Sequence, residues 1–220
     1  IYYGDLSGGK FDITIAPVSA LWDFKNQVVP SKDEIAEALQ SVDYHSVEIK
    51  DGAISLNGSQ IDLGGIAKGY IADKAAEYLK EKGVKKALVN FGGNICMIGQ
   101  YNIGIKKPFD DSVIASIELS DKCAVTSGIY ERYIEKDGKI YHHNLDPKTG
   151  YGVDNELAAV TVIGKKALDC DALSTVCMLL GTEDGLEIIN NTAGTEAVFI
   201  DRENNITLSS GLYRENDKIY

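Results

Sequence analysis

The stretch Ile61-Asp62-Leu63-Gly64-Gly65-Ile66-Ala67-Lys68-Gly69-Tyr70-Ile71-Ala72-Asp73 constrains the fold most: a short apolar run breaks at a glycine pair and restarts with helical spacing. Ala67, Ile71, Ala75 and Leu79 recur every fourth residue and Gly83 stands where a helix stops, so the spacing predicts a helix that begins just after the glycines. A glycine pair there lets a ligand approach the main chain, and the unpaired N–H groups and positive dipole end favour an anion, phosphate first. Glycine at a helix start also serves purely steric ends. Lys68 and Asp62 weigh toward binding, because they set a cation and a carboxylate on either side of the turn, as a phosphate and a polar nucleotide group require.

With 220 residues, 44% of them hydrophobic, the chain buries a sizeable core as one domain or two intimate halves. The formal charge of −11 argues against a nucleic-acid partner, which would be held by clustered Lys and Arg. No apolar run reaches membrane-spanning length, and no basic-plus-apolar leader opens the chain. The first residue is Ile1 and Ile1-Tyr2-Tyr3 runs into a loop-like Gly4-Asp5-Leu6-Ser7-Gly8-Gly9, so the expectation is a piece of a longer protein. The four cysteines, Cys96, Cys123, Cys170 and Cys177, form no C-x-x-C pair and lie in apolar surroundings. They read as small buried hydrophobes; a structural zinc site is not expected, and the even number leaves disulfides open.

In chain order, Phe11-Asp12-Ile13-Thr14-Ile15-Ala16-Pro17 alternates and predicts a strand ended by proline. Ser31-Lys32-Asp33-Glu34 is a capping box, followed by the apolar stripe Ile35, Ala38, Leu39 and Val42 of an amphipathic helix. Asp51-Gly52 between Val47–Lys50 and Ala53–Leu56 predicts a hairpin, as does Asp137-Gly138 ahead of Lys139–His143. Strands are expected at Ala87–Phe91, Ile95–Ile98, Ile103–Ile105, Ile114–Leu119, Ala158–Ile163, Ala197–Asp201 and Ile206–Leu208, with helices over Ala167–Leu180 and around Leu186–Ile189. Hairpins mixed with three to four helices define an α+β protein with mixed, largely antiparallel sheets.

Two stretches carry chemistry. His142, His143 and Asp146 stand before a proline-glycine loop, and on a strand the two histidines point to opposite faces, so only one faces a given site. Asp171 and Thr175 are four apart on the same greasy helix and therefore share a face. Two hard oxygens aimed at one point suit Mg²⁺, which takes few protein ligands and completes its octahedron with phosphate and water; the alternative is a carboxylate paired with a neighbouring turn.

Phe11-Asp12-Ile13-Thr14, Asp62-Leu63-Gly64-Gly65-Ile66-Ala67-Lys68-Gly69-Tyr70, Val89-Asn90-Phe91-Gly92-Gly93-Asn94, Thr126-Ser127-Gly128, His143-Asn144-Leu145-Asp146-Pro147-Lys148-Thr149-Gly150 and Asp171-Ala172-Leu173-Ser174-Thr175 together resemble the ordered motifs of the ApbE family of FAD:protein FMN transferases. The resemblance implies a single ApbE-like domain over 1–220, T-fold-like in architecture and short of the leading segment that helps bind flavin. It further implies Mg²⁺-dependent cleavage of FAD, release of AMP, and attachment of FMN to a Thr or Ser of a target flavoprotein. It also implies an exported protein, membrane-associated only through a lipid anchor outside this chain, with a cytoplasmic form left open.

By the same resemblance, Lys10, Phe11, Asp12, Asp62, Lys68 and Leu145 would contact FAD. The main-chain oxygen of Gly65 would hold the metal with Asp171 and Thr175. His143 would be the base, and Asp146 would support it or the metal site. Two residues depart from the family pattern: Asn144 stands where an aliphatic residue is commoner, and Gly152 where proline is frequent. A Mg²⁺-dependent FAD pyrophosphatase yielding FMN and AMP, and a non-catalytic flavin-binding module, are the alternatives.

Overall fold

The computed structural model describes residues 1–220, which fold into two compact units: Ile1–Leu63 with Ile129–Asp154, and Gly64–Gly128 with Asn155–Tyr220. The first unit opens with helices α1 (Tyr2–Leu6), α2 (Ala16–Ser19) and α3 (Lys32–Leu39) and the hairpin β1 (Glu48–Lys50) and β2 (Ala53–Ser55). The second unit then supplies α4 (Ala67–Glu81), β3 (Ala87–Asn90), β4 (Asn94–Ile98), β5 (Gln100–Lys106), β6 (Val113–Ser120) and β7 (Cys123–Gly128). The chain returns to the first unit for the hairpin β8 (Tyr133–Lys136) and β9 (Lys139–His142). It finishes in the second with β10 (Leu157–Gly164), α5 (Ala167–Leu180), α6 (Thr182–Asn190), β11 (Glu196–Asp201), β12 (Ile206–Leu208), β13 (Arg214–Glu215) and β14 (Lys218–Ile219).

The class is the expected α+β, with six α-helices in place of three to four. The extra ones, α1 and α2, span five and four residues, too short to display a helical period. The expected strand at Phe11–Pro17 does not form. The Asp12 carboxylate takes the N–H and hydroxyl of Thr14 and the N–H of Tyr44, which bends the chain, and Pro17 then sits in the first turn of α2. Only Ile15 pairs as a strand would, bridging to Gln60. In α3 the capping box is present as read. Val18, Trp22, Ile35, Ile134 and Leu145 form the first unit's core.

The second unit is built on a wholly antiparallel six-stranded sheet in the order β12-β11-β10-β7-β4-β3, with α4 and α5 packed on it and on each other. Every residue of β10 is buried, which accounts for its continuous apolar run. A second sheet, β13-β14-β6-β5, includes the parallel pair β14 and β6. In α4 the buried residues are Gly69, Ala72 and Ala76, while Ile71 is half exposed, so the buried face lies beside the stripe expected from Ala67, Ile71, Ala75 and Leu79. Close approach explains the rotation: a Cβ on Gly69 would stand 2.3 Å from the Ala167 carbonyl oxygen of α5. Cys96 and Cys123 are joined in a disulfide, whereas Cys170 and Cys177 are buried free thiols as expected.

Candidate active site

In the second unit, neither α4 nor α5 caps its own start, because Ile66 and Lys166 occupy the N-cap positions without a side-chain hydrogen bond. Each helix is capped by a carboxylate from the other. Asp171 of α5 accepts the Gly69 N–H in the first turn of α4 at 2.8 Å. Asp73 of α4 accepts the N–H groups of Ala167 and Leu168 at the start of α5, at 2.7 and 3.0 Å. Each carboxylate thus accepts amide N–H groups that have no partner within their own helix. Asp171 is 3% exposed, and the N–H it receives offsets part of the penalty for burying charge there.

Thr175 lies one turn along α5 on the face of Asp171, as the spacing predicts, and its hydroxyl donates to the Asp171 carbonyl at 3.3 Å. With its proton so engaged, the hydroxyl oxygen keeps lone pairs for a cation. Gly65 precedes the Gly69 contact by four residues in the turn that leads into α4, and Lys68 is exposed in the first turn of that helix. Asp171 and Thr175 offer oxygen donors on one face of α5, the donor type that Mg²⁺ takes, and the main-chain oxygen of Gly65 is the third candidate. The Thr126-Ser127-Gly128 motif ends β7, where Ser127 and Ser174 hydroxyls meet at 2.7 Å and Ser174 donates to the Asp171 carbonyl.

In the first unit, β9 ends at His142 and His143 follows in a bend, so the strand on which the two histidines were expected to alternate stops one residue short of the second. His142 is buried, with Nε2 2.9 Å from the Val153 carbonyl. His143 is partly exposed; both its backbone N–H and its ring Nδ1 lie 3.2 Å from the Arg132 carbonyl, and the ring meets Phe24 edge-on. A carbonyl only accepts, so ring Nδ1 is the donor in this contact.

The loop beyond holds Asp146 in place. Its carboxylate takes the Lys10 ammonium at 2.5 Å and the Lys148 N–H at 2.8 Å, and its carbonyl takes the N–H groups of Thr149 and Gly150. Gly150 has φ +71°, and the Trp22 indole N–H donates to its carbonyl, which pins the turn to the core. At Gly152 a Cβ would stand 2.8 Å from the His142 carbonyl, so the main chain passes too close for another side chain without a shift.

Of the remaining residues singled out from sequence, Phe11 and Leu145 are buried, and Leu145 belongs to the core. Asp12 is engaged by Thr14 and Tyr44, and Asp62 accepts the Ser19 hydroxyl at 2.9 Å while its N–H donates to the Ile13 carbonyl. Thus Lys10 and Asp146 are brought together directly, as are Asp171 and Thr175. Asp73 was missed. A signal for it exists in retrospect: Lys166 cannot cap α5, so a carboxylate from elsewhere is needed.

The second unit's antiparallel sheet, carrying two mutually capped helices, defines an α+β fold that presents a carboxylate and a hydroxyl on one face of α5. Residues 1–199 match the model of the ApbE family, and the chain belongs to that family. It is 41% identical over 208 residues to the FAD:protein FMN transferase of Klebsiella pneumoniae, covering 91% of this chain and 66% of that protein. It is 32% identical to the FAD:protein FMN transferase of Treponema pallidum, covering 96% of this chain and again 66% of the relative. The chain therefore spans just under two thirds of the length of these relatives. Among solved structures, the ApbE protein of Thermotoga maritima superposes with a TM-score of 0.86 at 34% identity, covering 96% of this chain and 73% of that one. The flavin transferase ApbE of Vibrio cholerae superposes with a TM-score of 0.84 at 29% identity, covering 95% and 72%.

Proposed function

We propose that this protein transfers FMN from FAD to a Thr or Ser hydroxyl of a target flavoprotein and releases AMP. The observation that carries the reading is the donor pair Asp171 and Thr175, held on one face of α5 beside the glycine-rich start of α4, in a chain whose relatives bear that activity in their names. Asp171, Thr175 and the main-chain oxygen of Gly65 would hold Mg²⁺, which when bound supplies positive charge against the phosphates of FAD. Lys68, exposed beside that turn, would contact the same phosphates, with Asp62, Lys10, Phe11, Asp12 and Leu145 as the remaining flavin-nucleotide contacts.

His143 takes the proton of the acceptor hydroxyl at Nε2. Its Nδ1–H is anchored on the Arg132 carbonyl, which fixes the ring's tautomer and orientation. Asp146 acts as support: its bonds to Lys10 and to the Lys148 N–H hold the loop that follows the base. The site of action is extracytoplasmic. The Cys96–Cys123 disulfide supports that placement, since such bonds persist in oxidising compartments.

The test is mass spectrometry of a flavin-acceptor domain incubated with this protein, FAD and Mg²⁺, with a chelator control. The expected result is a metal-dependent gain of one FMN with AMP released, reduced about 10²–10⁴-fold in His143→Ala. Free FMN without labelled acceptor would replace the transferase reading with FAD hydrolysis, and unchanged transfer in His143→Ala would remove the base assignment.

A further inference from the structure

Cys96 of β4 stands directly opposite Cys123 of β7, with Cα atoms 4.1 Å apart, although the two lie 27 residues apart in sequence. Asp73 reaches over the pair from α4. Its Oδ1 lies 3.8 Å from Cys96 Sγ and 3.9 Å from Cys123 Sγ, and all three ligand atoms fall within 4.8 Å of one another. Tetrahedral zinc with sulfur at about 2.3 Å and oxygen at about 2.0–2.2 Å sets sulfur and oxygen corners roughly 3.5 Å apart, close to these separations.

The surroundings complete the resemblance to a built site. The N–H groups of Ala167 and Leu168 hold the Asp73 carboxylate, as outer partners orient ligating carboxylates elsewhere. A pocket of about 150 Å³ opens onto the sulfurs, walled by Lys80, Lys122, Lys165 and Lys166 together with Glu77 and Asp121. Two thiolates and a carboxylate around a divalent cation leave one negative charge, and the lysines offset it. The pocket leaves room for water as the fourth ligand.

We propose that Asp73, Cys96 and Cys123 form a redox-gated site for a thiophilic divalent cation of the Zn²⁺ class, separate from the oxygen donors at Asp171. The site is closed while the sulfurs are bonded to each other. A dithiol reductant opens it: the S–S bond accepts two electrons and two protons, and the reductant becomes a disulfide. The cation then displaces both thiol protons to solvent and forms two metal–sulfur bonds and one metal–oxygen bond. No step of the flavin chemistry is needed for this assignment.

The experiment uses the full chain reduced with a phosphine, freed of reductant without air, and titrated with Co²⁺. The expected result is one equivalent bound with a thiolate-to-cobalt charge-transfer band, erased by Zn²⁺, and no such band in the untreated disulfide form. Oxygen donors give no such band, so Co²⁺ at Asp171 does not imitate the result. Asp73→Asn is expected to weaken binding at least tenfold, and Cys96→Ser with Cys123→Ser to abolish the band while far-ultraviolet circular dichroism stays native. A reduced wild-type chain without the band, a band that survives in the double variant, or a disulfide that yields only after unfolding would each overturn the proposal.

Discussion

At Gly69 the requirement is steric, not conformational. A methyl group there would meet the Ala167 carbonyl oxygen at 2.3 Å and Asp171 Cβ at 2.8 Å, and neither is the far end of a flexible side chain. Gly69→Ala is expected to lower stability by about 1–3 kcal/mol, because α4 and α5 must part to admit it. Urea denaturation checks this, and an unchanged midpoint would refute the close approach. Single residues were legible in the sequence where a period was enough: the four-residue spacing placed Asp171 beside Thr175, whereas the strand expected to separate His142 from His143 ends at His142. What the pattern does not encode is which carboxylates are engaged by the main chain. Asp12 is bound by Thr14 and Tyr44, and Asp73 by two amides that lie 94 and 95 residues downstream.

At the scale of elements, α6 repeats the theme of a borrowed cap. Its N-cap is Gly181, and Glu156 supplies the acceptor, taking the Thr182 hydroxyl at 2.5 Å and the Thr182 N–H at 2.8 Å. The Thr182 hydroxyl bond is the main cause that holds the Glu156 carboxyl below its ordinary range. A carboxyl whose pKa is lower folded than unfolded stabilises above the unfolded value and loses that contribution as pH falls through the folded one. Glu156→Gln is therefore expected to be less stable than wild type at pH 7, by no more than about 0.5 kcal/mol because Glu156 is exposed and solvent screens its charge, with the gap closing as pH drops below about 4. Urea midpoints at the two pH values measure it, and a gap independent of pH would rule out the ionised cap. Elements with local signals, the α3 capping box and the Asp-Gly hairpins, were readable, whereas the pair β13 and β14 is two residues per strand and leaves no alternation to see.

For the whole molecule, the chain crosses between its two units and back, and that path was not legible, because it depends on pairings such as β7 with β10 across the intervening Ile129–Asp154. Cys170 and Cys177 report on the integrity of the second unit. Burial raises both thiols, Cys177 to about 12, and their exposures are 1% and 0%. Alkylation followed by mass spectrometry is expected to label neither in the native protein, both after denaturation, and all four cysteines after denaturation with reduction. Native labelling at either would mean that α5 opens locally. The crossed capping of α4 and α5 argues that it does not. Because each helix holds the other's leading amides, a slip of one residue in either direction would strand Gly69, Ala167 and Leu168 together. The two helices thus work as a keyed joint whose register is set in both senses at once. Asp171 and Thr175 ride on that joint already aligned, so the cation proposed for them would find its oxygens in place, with little freedom left to lose on binding.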